Sequence, residues 1–112
     1  DHSGISMSVM GALFSSGEQI RHQRFAYRGV IYRVDPVFLG SNVWYEKMAV
    51  SKPPKNAPWY HVLVHESDHT TYVAQRNLEA YSGEEPIDHP MLAHFFDGFV
   101  KGRYLVIDDN RV

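Results

Sequence analysis

The sequence predicts a small, mainly β domain with one or two short helices, and three observations predict it. Two extended runs lie close together in EQIRHQRFAYRGVIYRVDP. A second alternating block, WYHVLVHE, is followed after a few turn-forming residues by TTYVAQ. Helix signals are confined to two short stretches. A chain of 112 residues supports a single domain with a modest core and needs no disulfide to hold it.

Residues 1–13, DHSGISMSVMGAL, have neither the basic start nor the cleavage pattern of a secretion signal. They read as a flexible arm or as added residues ahead of a domain spanning 14–112. From Gly17 the pattern sharpens. Gln19–Arg24 and Arg28–Asp35 are extended runs that meet near Ala26-Tyr27, as a hairpin or meander would. In the second run Val30, Tyr32 and Val34 fall on one face, with Ile31 and Arg33 on the other. Asp35-Pro36 ends it, because proline donates nothing to a ladder and restricts the residue before it.

In VFLGSNVWYEKMAVSKPPKNAP, Ser41 or Asn42 can cap a short helix through Val43–Met48, and Pro53, Pro54 and Pro58 then force a loop. WYHVLVHE puts Tyr60, Val62 and Val64 on one face and Trp59, His61, Leu63 and His65 on the other. The β-branched and aromatic run TTYVAQ continues the strand pattern beyond a turn at Ser67-Asp68-His69. Near the end, Leu92, Phe95, Phe96 and Phe99 are spaced i, i+3, i+4, i+7 between Pro90 and Gly98, which predicts a short amphipathic helix.

Composition removes several classes of function. No apolar run approaches the ~20 residues that cross a bilayer, so no membrane partner is expected. The absence of cysteine excludes disulfides, thiolate zinc sites and a cysteine nucleophile, and fits a reducing compartment such as the cytoplasm. The net charge of -2 argues against a strongly basic nucleic-acid binder, but the charge is uneven. Residues 1–64 hold seven Lys/Arg against four Asp/Glu, and residues 65–112 hold four against nine. Any anionic partner is drawn to the first half.

The pentapeptide HESDH, His65 to His69, matches the H-E-x-x-H zinc-protease pattern. That chemistry requires a helix, because only i, i+4 spacing at 3.6 residues per turn brings both imidazoles to one metal. Here the motif follows an alternating run and precedes TTYV, so it reads as a turn between strands. His61, His65 and His69 are four apart, and His89 or His94 could join them, but on a strand such residues lie about 13 Å apart, too far to share an ion unless a partner strand contributes a ligand. There is no G-x-S-x-G elbow, no phosphate-cradling glycine loop and no recognisable carboxylate pair. Neither catalysis nor a cofactor is implied.

Six blocks occur in order along the chain: GEQIRH from Gly17, YRGVI from Tyr27, Asp35-Pro36, APWYHVLV from Ala57, YVAQRNL from Tyr72, and His89-Pro90. Together they resemble the YccV-like family, also called the hemimethylated-DNA-binding domain, which includes the heat-shock protein HspQ. The resemblance runs from Phe14 to Phe96. It implies a small SH3-like barrel acting as a binding module without catalysis. It also implies two kinds of partner: duplex DNA, hemimethylated in particular, or a protein partner in regulated proteolysis. The second is met in specificity factors for an AAA+ protease of the Lon type, in Clp adaptors and in F-box proteins. Self-association into a homo-oligomer is compatible with either.

For DNA, the candidate contacts are Arg21, Arg24, Arg28 and Arg33 as an anion-contacting strip, with His22 and Tyr27 supplying hydrogen bonds and stacking. The plainer alternative is a solvated face whose arginines pair with Glu18, Asp35 or the acidic second half. For a protein partner, the candidates are Val43, Trp44, Tyr45 and Met48 in the proline-bounded insertion, then the Phe95–Phe99 segment. Trp59, Tyr60, Tyr72 and Phe38 are expected in the core, since a small barrel depends on a few large aromatics.

Overall fold

The computed structural model describes residues 11–107. Strands β1 (Gln19–His22), β2 (Arg28–Asp35), β3 (Trp59–Val64), β4 (Thr70–Ala74) and β5 (Leu78–Ala80) form one antiparallel sheet in the order β4-β3-β2-β1-β5. Each strand lies beside its predecessor until β4. A single 3-10 turn, Gln75–Asn77, then carries the chain to β5 on the far edge. This strand order is that of the small SH3-like barrel which the family resemblance implies.

The barrel interior holds Ile20, Ile31, Tyr60, Val62, Val73 and Leu78, all buried, with Phe14 and Tyr27 packed against them. The opposite face of the sheet is buried as well. Val30 and Leu63 meet Ile87, Phe96 and Tyr104 under the hairpin of β6 (Phe96–Val100) and β7 (Arg103–Val106). Trp59 and Ala74 meet Tyr45 and Ala49 under helix α1 (Asn42–Met48). With both faces covered, β3 can be apolar at nearly every position; Tyr60 and Val62 pack in the barrel interior and Trp59 and Leu63 outside it, as expected. β2 and β3 approach so closely that a Cβ on Gly29 would lie 2.7 Å from the Leu63 carbonyl oxygen, which is why a glycine sits in this strand.

β2 does not keep the strict alternation expected of it. Ile31 pairs with Val62, whereas Arg33 pairs with His61, so Tyr32 is an extra residue in a β-bulge. The bulge reverses the parity: Val30 and Tyr32 pack on one side of the sheet, while Ile31 and Val34 pack together in the barrel interior. Val34 therefore belongs with Ile31, not with Val30.

Helix α1 begins where a serine cap was expected, with the Trp44 N–H donating to Ser41 Oγ at 3.1 Å. The amphipathic helix expected through Phe99 is different. Helix α2 is a single turn, Leu92–Phe95, and Phe96 starts β6. Short apolar runs satisfy both periods, and Gly98 is a poor helix residue; β7 offers a partner, pairing Phe99 with Tyr104. Of the residues expected to form an arm, 11–13 are held against the barrel: Gln75 bonds the Gly11 carbonyl and the Leu13 N–H. Residues 1–10 lie outside the described residues.

Candidate functional site

The structure does not assemble the four arginines into one free strip. Arg21 and Arg28 face each other across β1 and β2, and both are engaged internally. Arg21 pairs with Glu79 on β5 at 3.0 Å. Arg28 donates to Gln19 Oε1 at 2.6 Å and to the Glu85 carbonyl at 2.7 Å, with its guanidinium 4.1 Å from the Tyr81 ring centre. Arg33, past the bulge, is 67% exposed and only 3.8 Å from Asp35, and Arg24 stands exposed in the β1–β2 turn over Phe25. Arg24 and Arg33, near opposite ends of β2, are the less engaged of the four.

His22 Nδ1 and the Tyr27 hydroxyl are bonded inside the domain. Buried His22 accepts through Nδ1 from the Arg24 and Phe25 N–H groups, both at 3.1 Å, and so holds the β1–β2 turn. The Tyr27 hydroxyl lies 2.8 Å from Thr71 Oγ1. Burial, then the nearby Arg24 charge, lowers the His22 pKa from its ordinary 6.5. The folded chain therefore binds this proton less readily than the unfolded one: its contribution to stability is full above pH 6.5 and is lost as pH falls through the folded pKa. Urea midpoints are expected to drop between pH 7 and pH 5, and His22→Gln should shrink that drop. An unchanged pH dependence in the variant would mean that His22 does not hold the turn.

The second candidate set divides. Val43 and Met48 are well exposed, and Trp44 is half-buried against Phe38, Trp59 and Tyr72. Tyr45 is not the surface anchor that its place in the insertion suggested: it is 8% exposed and donates its hydroxyl to the Pro53 carbonyl at 2.6 Å. The helix turns it inward, onto Trp59 and Phe38.

These elements border a groove of about 450 Å³ along β4. The β1–β2 turn lines it with Arg24 and Phe25, α1 and its following loop with Trp44, Met48 and Val50, and β4 with Tyr72. No carboxylate of the described residues lines it. Phe25 and Val50, 66% and 72% exposed, were not singled out in the sequence. The signal for them was present, a large apolar residue inside a turn and another beyond a helix end, but neither points to a shared groove until the barrel closes.

Beneath the groove, buried Asp35 organises a polar cluster. The Tyr72 hydroxyl donates to Asp35 Oδ2 at 2.7 Å, and His61 Nε2 lies 3.0 Å from the same oxygen. Burial, reinforced by this bond to a carboxylate, pushes the Tyr72 pKa up to about 12.

HESDH is the β3–β4 turn. The Val64 N–H donates to the His69 carbonyl at 3.1 Å, and Ser67 Oγ both donates to the Val64 carbonyl and accepts from the His69 N–H. His65 Nδ1 accepts from the Asp88 N–H, and His89 Nε2 donates to the His69 carbonyl. This is turn geometry and not the helix that the zinc-protease pattern requires. Among the described residues no three His, Cys, Asp or Glu side chains are placed to hold a metal. No helix among them is long and apolar enough to cross a membrane.

A family model described as "Hemimethylated DNA-binding protein YccV like" matches residues 12–103. F-box only protein 21 of Mus musculus is 34% identical over 94 residues, covering 82% of this chain and 15% of that protein, and the Homo sapiens and Pongo abelii proteins of that name match equally. The chain thus spans a small part of those relatives. The six sequence blocks, the barrel they build and the match over most of its length show that this chain belongs to the YccV-like family.

Proposed function

We propose that this domain is a non-enzymatic protein-recognition module acting in regulated proteolysis, and that it presents the groove beside β4 to an AAA+ protease or to the protein being degraded. The observation that carries the proposal is the division of surfaces. Half the arginine strip is bonded within the domain, whereas among the described residues an apolar groove bordered by Phe25, Trp44, Met48 and Val50 is open. Kinship with a segment of F-box only protein 21 supports a protein partner. The cytoplasm is the proposed compartment.

DNA binding is the second reading, favoured by the family's description and by the exposed Arg24 and Arg33. Phosphate contacts account for much of the affinity of DNA binders and make it salt-dependent. Two exposed arginines would support a weak contact with a shallow salt dependence, since the slope scales with the number of phosphates neutralised.

The test compares two variants. Trp44→Ser with Met48→Ser should reduce association with a Lon-type protease, or its stimulation by this domain, by about tenfold, as expected when a groove anchor is removed. Arg24→Ala with Arg33→Ala should leave that association intact and weaken any binding to hemimethylated, methylated and unmethylated duplexes alike. Tight duplex binding lost only in the arginine variant, with no protease association in the parent chain, would replace the first reading by the second.

A further inference from the structure

We propose that the outer edge of β4 is a docking strand. It takes an extended peptide, apolar at alternate positions and carrying a carboxylate opposite Arg24, as a sixth strand of the sheet. This rests on the protein-recognition reading and specifies the mode of binding. In antiparallel ladders, directly opposed residues alternate between pairs that exchange hydrogen bonds and pairs that do not. The Val64 N–H to His69 carbonyl and Gln75 N–H to Pro58 carbonyl bonds fix the phase at both ends of the β3–β4 ladder. Between them, Tyr60 with Val73 and Val62 with Thr71 are the bonded pairs, so Thr70 and Tyr72 turn their N–H and C=O groups away from β3. Among the described residues no backbone bond satisfies those groups.

Free strand edges are usually protected by a lysine, a proline, a bulge or a covering segment. β4 reads TTYVA, with no charge, no proline and a regular register against β3. Its edge instead looks into the groove, between the β1–β2 turn with Phe25 and the end of α1 with Met48 and Val50. Backbone groups along the strand can bind any extended chain, and the apolar residues on either side select alternate side chains. Charge supplies the rest of the match. No carboxylate lines the groove, and Arg24 on its rim has no carboxylate partner among the described residues. An acidic flank is complementary there, and a basic one is not.

The experiment follows backbone amides of the labelled full chain by NMR while two probe peptides are added, acetyl-Asp-Val-Thr-Val-Thr-Val-amide and its reverse acetyl-Val-Thr-Val-Thr-Val-Asp-amide. At least one should shift the Thr70 and Tyr72 amides and slow their hydrogen exchange at least tenfold. The same peptide N-methylated at alternate residues should lose binding at least tenfold, and exchanging its Asp for Lys should weaken it in the parent chain but not in Arg24→Ala. Thr70→Pro removes the outward N–H while leaving the β3 ladder intact, so it should abolish the slowed exchange at Tyr72 with little change in melting temperature. Equal binding of the N-methylated peptide, with shifts confined to Trp44, Met48 and Val50, would overturn the docking strand and leave the groove reading standing. Slow exchange at Thr70 and Tyr72 before any peptide is added would also overturn it, pointing to a second copy if concentration-dependent and to this chain's own residues if not. Silence towards both peptides while protease association persists overturns the docking strand alone. Silence in both assays overturns the protein-recognition reading with it.

Discussion

Replacing Trp59 by alanine is expected to lower the stability of this domain by about 3–5 kcal/mol, the cost of truncating a buried aromatic. Trp59 is 2% exposed, donates its indole N–H to the Pro54 carbonyl at 3.0 Å, and lies within ring contact of Phe38, Trp44, Tyr45 and Tyr72. It is the residue around which α1 and the proline loop pack onto β3. The alanine leaves a cavity that these rigid rings cannot all close, and it orphans the Pro54 carbonyl. Small domains have about 5–15 kcal/mol of stability in total, so the variant should show a urea midpoint reduced by a large fraction. Val43→Ala, at a side chain 76% exposed on the same helix, should change stability by less than about 0.5 kcal/mol. Similar effects at the two positions would mean that α1 is not packed through Trp59. The contrast also bears on function: a variant at Trp44 or Met48 tests the groove, whereas one at Tyr45 or Trp59 tests folding.

The strands β2, β3 and β4 were legible because alternation, β-branched residues and proline stops agreed with one another, and α1 was legible through Ser41. The zinc-protease pattern could be set aside for the same reason, since its flanks were strand-like. What could not be read depends on partners distant in sequence. The parity change at Tyr32 arises because β3 offers one residue where β2 has two, and nothing within YRVD announces it. Phe96 and Phe99 suited either period until β7 was there to pair with them. The arginine strip was a sound inference from charge spacing, but Arg28 is held by a carbonyl 57 positions away and Arg21 by a carboxylate 58 away. The groove was hidden for a different reason. Which strand of a sheet lies at an edge is a property of topology, so the outward-facing groups of Thr70 and Tyr72 leave no mark in the sequence TTYVA.

Removing the Asp35 carboxylate should have the second large effect, and a pH signature should accompany it. Asp35 is 4% exposed, and in the folded chain its Oδ2 meets both the Tyr72 hydroxyl and His61 Nε2. Asp35→Ala leaves two half-buried donors without their acceptor, at an expected cost of about 3 kcal/mol. The Tyr72 pKa stands near 12 in the folded chain against an ordinary 10, first because of burial and then because of the bond to Asp35. A raised pKa means that the folded state keeps this proton longer than the unfolded state, so the stabilisation is complete below pH 10 and is lost as pH rises through about 12. In a spectrophotometric titration one tyrosine of the parent chain should ionise near its folded value of about 12, and Asp35→Ala should move that step towards 10. Tyr72→Phe should remove the step entirely, leaving the buried Asp35 carboxylate with His61 as its remaining close partner and the Leu39 N–H without its acceptor, so it too should lower stability at neutral pH. Burial also raises the pKa of the Tyr27 and Tyr60 hydroxyls, so the step is read by difference: a late step of unchanged amplitude in Tyr72→Phe would show that the Asp35 cluster does not hold Tyr72. The groove floor would then be set by ring packing against Phe38, Trp44, Trp59 and His61.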